Sequence, residues 1–127
     1  MSATQKQIEK LRTLQESYDE LVDNVSRIKN SIGTPTLTIP DTTAEQELAP
    51  NVVYIFANRT SELTLTLGAE VIGKANEYHF FIECGETAPT ITFPSGIEWN
   101  GGNAPTIAAN KTYEVSILNN IAAYFEV

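Results

Sequence analysis

The sequence predicts a mainly β fold with an N-terminal α-helix: a trimeric coiled-coil stalk in residues 1–33, then an antiparallel β-sandwich or jelly-roll-like head in residues 34–127. Two observations lead to this prediction. Apolar residues recur at alternating spacings of three and four through residues 11–32, and after Pro35 the apolar period changes to two. The first pattern is that of a helix that buries one seam against partner helices, and the second is that of a β-strand.

The stalk carries one unbroken heptad pattern. Because a and d residues face the partner helix in a coiled coil, we expect them to form the oligomerisation seam. The a positions are Leu11, Tyr18, Val25 and Ile32, and the d positions are Leu14, Leu21 and Ile28. β-branched residues at both positions near the end of the seam, with Ile8 and Val22 widening it at e, favour three helices over two. The alternative is a single amphipathic helix packed against its own β-domain.

The ends of the helix are also predicted from the sequence. It is expected to begin near Ala3 or Thr4 and to end within residues 31–33. Gly33 can adopt the left-handed conformation of a helix cap, and Pro35 cannot continue a helix.

The head contains eight or nine short segments with strand-like alternation, spaced about ten residues apart, and no helical pattern. Asn119-Asn120 is predicted to form a two-residue hairpin turn, and residues 41–50 are predicted to be an exposed loop. The predicted strands are residues 35–40, 51–57, 62–67, 77–84, 90–93, 97–99, 106–108, 112–118 and 121–127. Short strands at regular intervals are typical of sandwiches and jelly rolls.

Charge and composition exclude several functions. The head contains eleven acidic and three basic residues and so carries the whole net charge of −8, which argues against nucleic-acid binding. No segment resembles a signal peptide or is apolar enough to span a membrane, so synthesis in the cytoplasm without membrane insertion is expected. The single Cys84 excludes an intrachain disulfide and a cysteine-based zinc cluster, and no cofactor is expected.

Four head residues are candidates for ligand or interface contacts. His79, the only histidine, shares a strand face with Glu77, and a surface or interface imidazole is a better interpretation than a metal ligand. Trp99 precedes a turn-rich loop that contains Asn100 and Asn103. An aromatic face beside amides could stack on a sugar, but packing over the core or a subunit interface is the alternative.

Motifs of the common catalytic sites are absent from the sequence. It contains no nucleophile elbow, glycine-rich phosphate loop, EF-hand loop or zinc-protease helix motif. An enzymatic function is therefore not predicted, and no catalytic or metal residues are assigned.

Three segments of the head resemble the C-terminal β-module of bacteriophage and prophage virion proteins, including head fibres and tail fibres. These segments are residues 91–105 (ITFPSGIEWNGGNAP), 111–117 (KTYEVSI) and 119–127 (NNIAAYFEV), and the resemblance covers about residues 50–127. It implies a homotrimeric appendage on the virion surface, with the stalk attached to a capsid or other virion protein and the β-head exposed. The short chain favours a head fibre or capsid decoration. The alternative is a tail fibre or receptor-binding module that recognises a host surface glycan.

Overall fold

A computed structural model describes residues 2–31 and 34–127, with side chains described for residues 2–25 and 34–127. The chain divides into two compact units, Met1–Gly33 and Thr34–Val127. The first contains helix α1 (Ala3–Ser31). The second is β-rich, and its strands are β1 (Thr36–Ile39), β2 (Glu45–Leu48), β3 (Val53–Arg59), β4 (Leu63–Leu67), β5 (Glu77–Cys84), β6 (Ile91–Thr92), β7 (Glu98–Trp99), β8 (Thr112–Leu118) and β9 (Ile121–Glu126).

The start of helix α1 is stabilised by a capping box. The Ser2 hydroxyl accepts a hydrogen bond from the Gln5 amide at 3.2 Å, and the Gln5 side-chain oxygen accepts one from the Ser2 amide at 3.0 Å. This reciprocal pair satisfies two amides that have no partner within the helix. The predicted start near Ala3 is confirmed, whereas the predicted cap at Gly33 lies outside the described residues.

The head winds through two sheets in turn. The first six strands alternate between the sheets. Each of the first four pairs with the strand two places later: β1 with β3, β2 with β4, β3 with β5, and β4 with β6, all parallel. This pairing is that of a short β-solenoid, in which each coil stacks on the previous one. Strands β8 and β9 then extend the first sheet antiparallel to β5 and to each other, and β7 lies parallel to β9. The sheet orders are β1-β3-β5-β8-β9-β7 and β2-β4-β6.

The β-rich fold agrees with the sequence prediction, but the antiparallel sandwich or jelly roll is wrong in strand direction. Five of the seven strand pairings are parallel. Apolar alternation specifies which side chains face inward but not the direction of the neighbouring strand, so it could not show this. Strand β2 lies within the predicted loop 41–50, and residues 106–108 do not form a strand.

The core lies between the two sheets and is formed by the alternate residues that face inward. Phe56 and Phe80, on neighbouring strands β3 and β5, meet edge to face with ring centroids 6.2 Å apart. The fully or almost fully buried apolar residues of this core cluster are Leu48, Tyr54, Phe56, Leu63, Leu65, Tyr78, Phe80, Ile82, Val115, Ile117 and Ala122. They come from six strands, two in the three-stranded sheet and four in the six-stranded sheet. The winding therefore brings distant segments of the chain into one core.

A fully buried arginine joins two successive coils. Arg59 Nη1 donates to the Pro40 carbonyl oxygen at 3.0 Å, and Nη2 donates to the carbonyl oxygens of Glu62 at 2.7 Å and of Thr43. Arg59 Nε lies 3.4 Å from an Asp41 carboxylate oxygen. The side chain thus satisfies backbone carbonyls of the β1–β2 connection and of its own β3–β4 turn.

The hydrogen bonds of Asp41 complete this corner. Its carboxylate accepts hydrogen bonds from the amide and hydroxyl groups of Thr60 and Ser61, the shortest at 2.6 Å from the Thr60 hydroxyl. These bonds, led by those from Thr60, lower the pKa of Asp41 well below its ordinary value. Burial lowers the pKa of Arg59, and the Asp41 charge opposes that shift. The corner is therefore an ion pair whose partners also hold the turns in place.

The turn between β8 and β9 has the predicted form. Asn119 and Asn120 both have positive φ, at 52° and 63°, and Leu118 pairs directly with Ile121. Positive φ at both central residues defines the hairpin turn whose twist matches that of the flanking strands. The Asn119-Asn120 prediction is confirmed.

Candidate self-association site

The predicted seam residues of helix α1 form a stripe on its surface. Their side chains recur every three or four residues and are 53–67% exposed; the described ones are Leu11, Leu14, Tyr18, Leu21 and Val25. The side chain of Ile28 and the whole of Ile32 lie outside the described residues. Five large apolar side chains on one helical face are thus available for contact with another molecule.

Two further apolar residues widen the stripe on one side. Ile8 is 52% exposed and Val22 is 43% exposed, and both occupy the e position of the heptad. All described side chains of residues 3–25 are exposed, so the polar positions between the apolar ones also face solvent. Such a helix is marginal in water by itself, because most helical stability in proteins comes from packing an apolar face. The stripe therefore favours association through helix packing.

His79 lies on the outward face of β5, where the structure gives it a partner that the sequence did not indicate. Its Nε2 is 2.9 Å from a carboxylate oxygen of Glu114 on β8, and its Nδ1 is 3.8 Å from one of Glu77. The imidazole also stacks on Phe81, with ring centroids 5.3 Å apart. Glu114 was missed because its position beside His79 depends on the pairing of β5 with β8, which no local sequence pattern encodes.

A small cavity of about 100 Å³ lies beside His79. Its lining includes Thr34, Asn51, Val53 and Glu77. This volume is below the about 300 Å³ or more that small-molecule sites usually enclose. Among the residues that the structure describes, no group of three or more histidine, cysteine, aspartate or glutamate side chains is placed to hold a metal ion.

Trp99 is half-buried and packs against two other aromatic rings. Its ring meets Phe93 edge to face at 5.0 Å and Tyr124 at 6.1 Å. The following loop is tied to β9, since the Asn100 amide donates to the Ala122 carbonyl oxygen at 2.7 Å, and the Asn103 side chain is exposed. The structure thus places Trp99 on β7, an edge strand of the six-stranded sheet, with Asn100 and Asn103 in the loop that follows it. Sugar binding there stays a prediction.

Two further observations concern the Cys84 thiol and the hydropathy of helix α1. Burial raises the pKa of the Cys84 thiol, which keeps it protonated and weakly nucleophilic at neutral pH. Within residues 2–31 and 34–127, helix α1 lacks the continuous apolar stretch that crossing a bilayer requires.

Comparison of the chain with protein families, with curated proteins and with solved structures finds no match.

Proposed function

We propose that this chain is a self-associating structural protein of a virion: a homotrimeric head fibre or capsid decoration in which the stalk trimerises and attaches and the head is exposed. The observation that carries self-association is the stripe on helix α1, whose five described seam side chains are each more than half exposed in the single chain. An isolated soluble helix does not keep such a stripe in water when identical chains can bury it. The virion assignment is supported by the resemblance of residues 91–105, 111–117 and 119–127 to phage fibre modules.

Three helices suit the seam better than two. Val25, Ile28 and Ile32 place β-branched residues at both a and d, a combination that favours higher-order bundles over dimers. Ile8 and Val22 at e extend the apolar surface beyond the width that a two-stranded seam buries. The proposed stalk is therefore a homotrimer.

The division of charge supports the attachment scheme. The stalk has equal numbers of acidic and basic residues, so it can dock on another virion protein, whereas the acidic head stays soluble and repels nucleic acid. The alternative function, a tail fibre that binds host glycan, depends on an open face of Trp99. Because Phe93 and Tyr124 pack against this ring, we favour the structural role.

Leu21→Asp tests self-association. It places a carboxylate in each helix at the d position of the seam, where desolvation would cost several kcal/mol per trimer. We expect the wild type to sediment at three times the 13.9 kDa chain mass and the variant to sediment as a monomer with a folded head. Analytical ultracentrifugation measures the mass, and the fluorescence of Trp99 reports the fold of the head.

Thr13→Asp is the matched control. It adds the same charge to an exposed c position outside the seam, so the trimer should persist. A monomeric wild type contradicts self-association, a dimeric one contradicts the trimer, and an unchanged mass for Leu21→Asp contradicts the heptad assignment. The virion placement is tested by imaging particles labelled at Val127: label on the capsid surface supports the proposal, and label on the tail or on no particle contradicts it.

A further inference from the structure

The outward face of the six-stranded sheet carries two apolar groups on either side of strand β8. The inner group, on β3 and β5, consists of Val53, Ile55 and Phe81, which are all half-buried. The outer group, on β9, consists of Ala123 and Phe125, and Phe125 is 71% exposed. A solvent-facing sheet surface is normally polar, so apolar residues across three strands of this face indicate an interaction surface.

The polar residues between these groups already have partners within the chain. His79 Nε2 lies 2.9 Å from a carboxylate oxygen of Glu114, and the Ser116 hydroxyl donates a hydrogen bond to a carboxylate oxygen of Glu77 at 2.7 Å. These residues can therefore be covered without leaving the bonded atoms unpaired, which removes much of the usual cost of burying a polar strip.

Strand β9 also has an open edge. Strand β7 pairs only with Ile121 and Ala122, and no strand within the described part of the chain pairs with the same edge of residues 123–126. Edge strands usually carry charges or prolines that prevent association. Here the one charged residue of the segment, Glu126, pairs with Lys111, whereas Phe125 and Val127 are apolar and exposed. The most exposed apolar group of this face thus lies at an edge that no strand in the described part of the chain covers.

We propose that these two groups form a second interface between copies of this chain, in which the outer group of one head packs on the inner group of the next. The inference rests on the proposed trimer. A threefold ring needs two different surfaces that fit each other, because each copy contacts its neighbours head to tail. The protruding Phe125 and the half-buried Val53, Ile55 and Phe81 supply such a pair.

Charge and chain length identify the occupant as another copy. The two apolar groups carry no cation that would attract nucleic acid or anionic lipid, and the head around them is acidic. Helix α1 ends at Ser31 and β1 begins at Thr36, and four residues span at most about 14 Å of chain. Trimerisation of the stalk therefore raises the local concentration of heads to about the millimolar range, at which a small apolar interface is occupied.

Paired cysteines test this interface in the full chain. Ile55→Cys with Phe125→Cys should form covalent trimers under mild oxidation, seen on a non-reducing gel, because each copy then bonds to both neighbours. Within one chain these positions are separated by three strand spacings, about 14 Å, so a bridge between them inside one chain is excluded. Ile55→Cys with Ile72→Cys is the matched control, since Ile72 is 97% exposed but lies in the loop between β4 and β5.

Phe125→Asp provides an independent measurement if the cysteines are misaligned. We expect the trimer association constant, measured by sedimentation equilibrium, to fall at least about tenfold, while Ile72→Asp leaves it unchanged. A wild-type trimer with no covalent trimer and no loss for Phe125→Asp overturns this interface but leaves the proposed trimer intact. A monomeric wild type overturns both proposals, so the two failures are distinguishable.

Discussion

Replacing Arg59 should destabilise the head more than any change at an exposed cation. Arg59 is fully buried and donates to the carbonyl oxygens of Pro40, Thr43 and Glu62. Methionine fills a similar volume but cannot donate hydrogen bonds. The three backbone carbonyl oxygens would remain in place and would lose this donor. Each lost bond costs about 1 kcal/mol or more, so Arg59→Met should cost about 3–5 kcal/mol.

This loss is large for a unit of this size. Residues 34–127 should have a free energy of unfolding of about 5–14 kcal/mol, so the variant loses about a fifth of it or more. Its thermal midpoint should fall by at least about 12 °C. Urea and thermal unfolding followed through Trp99, the only tryptophan, measure the head directly. Lysine keeps the charge but replaces the planar fork with one ammonium group, so Arg59→Lys should retain only part of the stability.

The matched control is Lys74→Met, which removes an exposed cation of the head and should change the unfolding free energy by less than about 0.5 kcal/mol. If Arg59→Met unfolds at the same urea concentration as the wild type, the three carbonyl bonds do not stabilise the corner and the reasoning is refuted.

Two further predictions concern the same corner. The pKa of Asp41 is lower in the folded head than its ordinary value of 3.8, so the folded state binds this proton less readily than the unfolded state. Ionised Asp41 therefore stabilises the folded head fully above about pH 4, and this stabilisation is lost as the pH falls below that value. Asp41→Asn should therefore lower the urea midpoint at pH 7 and reduce its fall between pH 4 and pH 2; parallel pH profiles for both proteins would contradict this. A Cβ on Gly85 would lie 2.8 Å from Thr60 Cγ2, so Gly85→Ala should cost about 1–3 kcal/mol by thermal unfolding. Thr60→Ser removes that methyl but keeps the hydroxyl, so it should recover most of the loss, and an equal loss in both backgrounds would exclude the contact as its cause.

The local patterns of the sequence were sufficient to predict the helix and most of the strands. The spacing of Leu11, Leu14, Tyr18 and Leu21 predicts a helix, and the structure has one there. Alternation predicts which residues of β4 and β5 face inward, and Leu63, Phe80 and Ile82 are buried. Both signals depend only on neighbouring residues, since the helical and strand periods are properties of the backbone.

Strand β2 was missed because its composition does not show a strand. Glu45-Gln46-Glu47-Leu48 has one buried apolar side chain and lies at the edge of the three-stranded sheet. Charged residues on an edge strand prevent unwanted pairing with other chains, so they are compatible with a strand although they hide it from pattern analysis.

The candidate sites also differ in whether the sequence predicted them. The exposed stripe on helix α1 was predictable in full for the described residues, because a heptad is a local pattern. The pairing of His79 with Glu114 and the two apolar groups on the outward face were not, since each joins strands that are distant along the chain. The burial of Arg59 was not predicted either, because a single cation between strands carries no local sign of the carbonyls that will surround it.

The sequence by itself determined the helix, the change of apolar period after the helix and the inward faces of most strands, because side-chain spacing and backbone geometry act over a few residues. The tertiary structure decided that the head winds as parallel coils and that Arg59 and Asp41 join two of them. It also decided that Val53, Ile55, Phe81, Ala123 and Phe125 share one face. Those outcomes depend on which strands become neighbours, and the free energy that selects the neighbours comes from a core assembled from the whole head.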